Sequence, residues 1–220
     1  MINPRISGLY AVTPETADTF KLFDMVEAAL RGGAAAIQYR NKSANAALRI
    51  EQARALQDLC RQHGVALIIN DYIELCLILN ADGVHLVGDD GDIAAARMQL
   101  GPSKIIGVSC YNCLKIAAAA KSQGADYVAF GACFDSATKP ATVRAPLALL
   151  TQAREKMGLP VVAIGGITLT NATLAIEAGA DAIAVIAAVF MASDVQLAAQ
   201  QFSNLFNPAH HHDLTQSATI

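Results

Sequence analysis

The chain of 220 residues contains no tryptophan, and aromatic residues of all kinds make up 5% of it. A core that cannot rely on large rings must be filled by aliphatic side chains and alanine packed closely together. Charge is scarce as well: 16% of residues are charged and the net charge is −3. No basic field exists to hold nucleic acid, so any phosphate site must come from a local cluster of cations. The five cysteines, Cys60, Cys76, Cys110, Cys113 and Cys133, form no even, regular framework, which excludes a disulfide-stapled scaffold. Cys110 and Cys113 make a C-x-x-C, but no second pair completes a zinc site, and reduced thiols are expected. The longest apolar run, Ala182–Ala192, falls well short of the ~20 residues that a membrane helix needs. The opening MINPRISGLYAV lacks the charged-then-apolar pattern of a secretory signal. A soluble, cytoplasmic protein that binds neither nucleic acid nor membrane is expected.

What the sequence has is alanine, β-branched residues and a recurring module. RGGAAAIQYR (31–40), NADGVHLVG (80–88), QGADYVAFG (123–131) and AGADAIAVIA (178–187) share one organisation. Each follows an amphipathic stretch of helical period. Each then offers Gly or Asn for the left-handed residue that ends a helix, and continues into a short run suited to a buried parallel strand. Four more such runs interleave with these: GLYAVT (8–13), ALIIN (66–70), KIIGVS (104–109) and PVVAIGG (160–166). Eight strands alternating with helices predict a parallel sheet, and no strand reads as a polar edge, so the sheet should close. The expectation is a single-domain (β/α)8 TIM barrel over residues 1–206. A polar tail over 207–220 includes the run His210-His211-His212 and should lie outside the fold.

In such barrels chemistry gathers at the C-terminal ends of the strands. After the second strand comes Gln38-Tyr39-Arg40-Asn41-Lys42. Gln38 and Arg40 alternate, so both can point inward, and an inward Arg calls for an anion: a phosphate or diphosphate, or else a neighbouring carboxylate. The third strand ends in Asn70-Asp71 and the fourth is followed by Asp89-Asp90. Two carboxylates at adjacent strand ends make a hard oxygen site suited to Mg²⁺, although either could instead cap the helix that follows. Ser109 ends the fifth strand. The loop Ala132–Arg144 after the sixth carries Ser136, Thr138 and Lys139 and is long enough to serve as a lid. Gly165-Gly166 after the seventh strand and Ile186-Ala187 after the eighth occupy the place where these barrels cradle a phosphate. His85, within the fourth strand, reads as a hydrogen-bonded barrel histidine, and His63 as a helix-end cation. No Ser-His-Asp or Cys-His arrangement is apparent.

Taken in order, GLYAVT, IQYRNK, INDY, DGVHL followed by DD, GVSC, GADYVAFG, SATKP, VVAIGGIT and AGADAIAVI resemble the thiamine phosphate synthase family from about Gly8 to Phe206. The resemblance implies transfer of an aminopyrimidine methyl group from its diphosphate to the nitrogen of a thiazole phosphate, or its carboxylate, releasing diphosphate. Gln38, Arg40, Asn41, Lys42 and Asn70 would then hold the pyrimidine diphosphate, and Asp71 and Asp90 would ligate Mg²⁺. Ser109 and Lys139 would meet the diphosphate or the pyrimidine, with Arg40, Ser109 and Lys139 carrying catalysis. Ser136, Thr138, Gly166, Ile186 and Ala187 would hold the thiazole phosphate. Members of this family often pair through their helices, so a homo-oligomer is compatible with it.

The chain departs from the family pattern in three places. Gly88 stands where a Gln is usual, Ala187 where a Ser is typical, and Gly131–Ser136 replaces a Gly-Pro-x-Phe-Pro-Thr segment. Two other readings share the ligand chemistry. A thiazole tautomerase of the same fold would carry a His where Ala132 stands and would lack the Asp pair. A non-catalytic sensor of a thiamine-pathway phosphate would bind without turnover.

Overall fold

The computed structural model describes residues 6–87, 92–135 and 143–207. Eight parallel strands close into a barrel in sequence order: β1 (Gly8–Val12), β2 (Ala36–Tyr39), β3 (Ala66–Asn70), β4 (Gly83–Val87), β5 (Ile105–Ser109), β6 (Tyr127–Phe130), β7 (Val161–Ile164) and β8 (Ala182–Val185). Pairing of β1 with β8, Leu9 opposite Ile183, completes the closure. The helices α1 (Thr19–Arg31), α2 (Ala46–His63), α3 (Ile73–Leu79), α4 (Ile93–Leu100), α5 (Leu114–Ser122), α6 (Ala148–Met157), α7 (Ala172–Glu177) and α8 (Ala187–Phe190) follow the strands, and α9 (Val195–Asn204) ends the fold. The short helix α3 is the one that the sequence allows between Tyr72 and Asn80.

Each helix is placed by a start signal and an apolar stripe. Asp18, Asn45, Asp92 and Asp194 accept hydrogen bonds from Lys21, Leu48, Ala95 and Leu197 amides at the first turns of α1, α2, α4 and α9, each cap worth about 1 kcal/mol. On α1, Leu22, Val26, Ala29 and Leu30 are buried, the spacing of one helical face. The outward residues of the strands and these stripes form the larger core, with Leu9, Ile37, Leu67, Val84, Ile106 and Ile183 all fully buried. The inward residues form a second, smaller core inside the barrel, including Tyr10, Val12, Ile68, Tyr127, Ala129 and Val162.

The recurring module has a structural cause. Gly33, Asn80, Gly124 and Gly179 all take positive φ at helix ends, as the pattern predicts. In three modules the acid that follows makes a two-point clamp onto an earlier strand. The Asp82 amide donates to the Leu67 carbonyl and its carboxylate accepts from the Leu67 amide. Asp126 does the same to Ile106, and Asp181 to Val161. In the first module Ala35 holds the equivalent place: its amide donates to the Leu9 carbonyl, and it has no carboxylate to complete the clamp. A cleft lined by Gly8, Leu9, Gly33, Ala35 and Ser203 opens there, at the N-terminal end of the barrel.

These clamps sit at the end of the strands away from the loops expected to carry chemistry. Asp181→Ala should therefore lower the unfolding free energy by about 1–3 kcal/mol while leaving turnover per folded molecule unchanged at room temperature. Urea denaturation followed beside activity measures both, and an unchanged denaturation midpoint would remove the clamp from the account of stability.

Candidate active site

The C-terminal rim of the barrel carries those of the expected residues that the structure describes. The loop after β1 grips the loop after β2. The Thr13 hydroxyl accepts from the Arg40 amide at 2.9 Å and donates to the Arg40 carbonyl at 3.2 Å, so the backbone at Arg40 is fixed. Asn41 is buried, and its amide donates to the Thr16 carbonyl and to Gln52 while accepting from Ser43. Its amide group is thus engaged inside the loop, holding it in shape.

Arg40, expected to face an anion, meets a carboxylate: Nη1 lies 3.0 Å from Oε1 of Glu15. Burial alone would raise the Glu15 carboxyl; hydrogen bonding with Ser43 and the Arg40 charge outweigh it and hold the carboxyl below its ordinary value. Both side chains retain access to water, at 23% for Arg40 and 38% for Glu15, so the pair is weak enough to be exchanged for a better anion. Lys42 stands 3.6 Å from Oδ2 of Asp71, and Asn70 donates to the same oxygen at 2.7 Å. One cation from the end of β2 therefore meets the carboxylate at the end of β3, while the other meets Glu15 from the loop after β1.

Asp71 does not cap α3. The cap position belongs to Tyr72, which makes no side-chain capping bond. Asp71 instead takes φ +65°, a conformation that costs a residue with a Cβ on the order of 1 kcal/mol. Its amide donates to the His85 carbonyl, and the next residue, Tyr72, lies under the Arg49 guanidinium at 3.8 Å. The backbone is bent here so that the carboxylate faces Lys42 and the rim.

Below the rim, five polar side chains from five strands join inside the barrel. Gln38 Nε2 donates to the Tyr10 hydroxyl at 2.9 Å. The Tyr10 and Tyr127 hydroxyls are 2.8 Å apart. Tyr127 meets His85 Nδ1 at 2.8 Å, and His85 Nε2 meets the Ser109 hydroxyl at 2.8 Å. Gly107 makes room for this chain. It pairs with His85 on one side and Tyr127 on the other, and a Cβ on it would fall within the Tyr127 ring. Burial lowers the His85 imidazole to about 4, so it is neutral near pH 7. Burial likewise raises both phenols. The histidine is a hydrogen-bonded barrel residue, as its sequence suggests, and it also supports Ser109. Tyr10, Tyr127 and Glu15 are not among the residues that the sequence singles out for the site. The signal available for the first two was a polar residue at an inward position of an otherwise apolar strand.

On the far side of the rim, Gly165 and Gly166 both have positive φ. A side chain at Gly165 would collide with Ala132, and one at Gly166 with the Phe134 and Asp135 carbonyls. These glycines therefore let the segment after β6 lie across the end of β7, where Cys133 and Phe134 amides donate to Ile164 and Gly165 carbonyls. Ile186 precedes the short helix α8, with Ala187 as its exposed first residue. Because Ile164 pairs with Ala184, Gly166 and Ile186-Ala187 leave neighbouring strands on the same rim. Asp89, Asp90, Ser136, Thr138 and Lys139 lie outside the described residues, as does the tail from 208 onward.

Two other features lose their claim to chemistry. Cys110 is buried and its thiol is pushed up to about 12, mainly by that burial, so it is no redox nucleophile; all five cysteines are free. The cleft at the opposite end has Arg31 as its charged residue, and that guanidinium is paired with Glu27. Among the described residues no group of three or more His, Cys, Asp or Glu could hold a metal ion. No helix of the described residues is long and apolar enough to cross a membrane.

The comparisons with known proteins agree with one another. The family model described as thiamine monophosphate synthase matches residues 9–189. The thiamine-phosphate synthase of Methylobacillus flagellatus is 59% identical over 204 residues, covering 93% of this chain and 97% of the relative. That of Chromobacterium violaceum is 54% identical over 203 residues, covering 92% and 98%. Among solved structures, the thiamine phosphate pyrophosphorylase of Pyrococcus furiosus superposes with a TM-score of 0.78 at 35% identity, covering 90% of this chain and 94% of its own. A 3-hexulose-6-phosphate synthase reaches 0.68 at 17% identity and shares the fold alone. A closed (β/α)8 barrel, with a cation and a carboxylate facing each other across two strand ends and this similarity along nearly its whole length, belongs to the thiamine monophosphate synthase family.

Proposed function

We propose that this chain acts as a thiamine-phosphate synthase, joining an aminopyrimidine methyl diphosphate to a thiazole phosphate, or its carboxylate, with release of diphosphate. The observation that carries the reading is the Lys42–Asp71 contact across the ends of β2 and β3, beside an Arg40 held by Glu15, in a chain 59% identical to an enzyme of that name. The reaction breaks one C–O bond and forms one C–N bond, so the enzyme is a transferase of the pyrimidinylmethyl group. The electron pair of the breaking bond leaves with the diphosphate, and the thiazole nitrogen supplies the pair for the new bond.

The demands on the protein follow from that balance. Diphosphate departs well only when its growing charge is spread. Arg40 and Lys42 supply two cations at the end of β2, and Lys139 would add a third. Arg40 and Lys42 are each oriented by an acid, Glu15 and Asp71 respectively, which limits the reorganisation needed to meet an anion. Asp71 and Asp90 are the residues that would hold Mg²⁺, which when bound neutralises diphosphate oxygens. The electron-rich aminopyrimidine can carry positive charge on its methylene carbon, so departure can run ahead of attack. No protein nucleophile or strong general base is then required, in keeping with a rim whose carboxylates, Glu15 and Asp71, are engaged by cations. Asn70, Gln38 and Ser109 would orient the pyrimidine, and Ser136, Thr138, Gly166, Ile186 and Ala187 the thiazole phosphate. At Ala187 a backbone amide is the donor on offer, since the side chain has no hydroxyl.

The direct test is diphosphate release from the two substrates, with and without Mg²⁺. Release that needs both substrates and the metal, with thiamine phosphate formed in equal amount, is the expected result; binding without product would favour a sensor. Asp71→Ala and Lys139→Ala should each lower turnover about a hundredfold or more with little change in melting temperature, and a fully active variant would remove that residue from the site. Glu15→Gln should tighten binding of inorganic diphosphate by about two- to fivefold, because an exposed competitor for Arg40 is lost. Titration calorimetry measures this, and weaker binding in the variant would show Glu15 to be a support for Arg40 and not a competitor.

A further inference from the structure

The buried chain from Gln38 to Ser109 has a direction, which the atom of the Gln38 amide that meets Tyr10 sets. An amide nitrogen can only donate, each phenol has one proton, and a neutral imidazole has one donor and one acceptor. Gln38 Nε2 donates to Tyr10, so the Tyr10 proton goes to its other partner, Tyr127. Tyr127 accepts that bond and sends its own proton to His85 Nδ1. The imidazole proton must then sit on Nε2, where it is given to the Ser109 oxygen. Ser109 accepts from below and keeps its own proton for a partner outside the chain. The opposite polarity requires the Gln38 amide to turn over, and it would consume the Ser109 proton inside the barrel. Intermediate arrangements leave two protons facing each other or a buried acceptor bare, which costs a hydrogen bond in a closed interior.

We propose that Tyr10, Tyr127 and His85 are positioning residues that fix His85 as its Nε2–H tautomer and so present Ser109 as a hydrogen-bond donor to the substrate. The site at the end of β5 then offers its proton to an acceptor, such as an unprotonated ring nitrogen or a phosphoryl oxygen. Gln38 and Ser109, from opposite ends of the chain, hold their orientations together. The inference rests on the reading of Ser109 as a substrate-facing residue, while the tautomer itself can be read without any substrate.

The test combines a spectroscopic and a kinetic measurement on the full-length protein. Long-range ¹H–¹⁵N correlations of ¹⁵N-histidine-labelled protein, with His85→Gln used to assign the resonance, should show the Nε2–H form of His85 in the wild type. Tyr127→Phe keeps the ring over Gly107 and removes the donor to Nδ1. It should shift His85 towards the other tautomer and lower kcat/KM for the pyrimidine diphosphate about tenfold, and in a Ser109→Ala background the same change should cost less than about twofold. A structural defect alone would cost as much in either background. Should Tyr127→Phe fail to fold, Tyr10→Phe, which removes the donor that polarises Tyr127, is read in the same way. A wild-type His85 protonated on Nδ1, or an equal cost of Tyr127→Phe with and without Ser109, would overturn the inference alone. A fully active Ser109→Ala enzyme would overturn the substrate-facing role of Ser109 and the inference with it.

Discussion

The Tyr127 phenol lies across the inside of the barrel over Gly107, stacked on His85 with ring centroids 5.6 Å apart and bonded to Tyr10 on the opposite wall. A closed parallel barrel must fill its interior with side chains from alternate strand positions. In a chain with no tryptophan and mostly small inward residues, that filling falls to two tyrosines and a histidine. Their polar ends could not be buried without partners, and each finds one in another. The same atoms that satisfy the interior reach Gln38 and Ser109, which open toward the rim. Filling the barrel and orienting the site are therefore one constraint, and Gly107 is the residue through which both are met, since any side chain there would take the space of the phenol.

Above this floor the rim is arranged by charge. Arg40 and Lys42 leave β2 in sequence, but their surroundings differ: Thr13 fixes the Arg40 backbone while Glu15 holds its guanidinium, and Lys42 extends to Asp71 on β3. Coulomb attraction between such partly exposed partners is modest. A diphosphate carrying several charges competes with it easily, whereas a single carboxylate does not collapse the site. The strained Asp71 backbone adds a second fixed point. Its φ of +65° is sustained by the bond to the His85 carbonyl, so the fourth strand supports both the carboxylate at the rim and the imidazole below it.

Much of this was legible in the sequence because it rests on local patterns. Eight apolar runs, four of them preceded by a helical stretch and a Gly or Asn, contained the barrel, and the left-handed φ at Gly33, Asn80, Gly124 and Gly179 is what those residues were read for. The rim residues on β2, β3 and β5 were legible because a polar residue at the end of a buried strand needs a reason. What could not be read was which partner each would find. Arg40 asked for an anion, and local spacing does not say that Glu15 supplies one from the loop after β1. Asp71 could have capped α3 or faced the rim, and its backbone angle decided it. Tyr10 and Tyr127 are 117 positions apart in the chain, and only closure of the sheet brings their hydroxyls together.

The departures from the family pattern can now be placed against these constraints. Ala187 is exposed at the first turn of α8, so the absent hydroxyl empties no space and leaves no buried group without a partner. The change at Ala132 is different. This residue is buried, and its methyl lies where any side chain on Gly165 would have to go, so it is held between β6 and β7 with its amide and carbonyl bonded to Val143 and Ala145. An imidazole in its place would need room that the glycine-tight crossing at Gly165 and Gly166 does not give without moving the segment after β6. The His that a tautomerase would carry is therefore absent from a buried position that this chain fills with a methyl group. The same crossing sets the path by which the chain leaves β6 as far as Asp135.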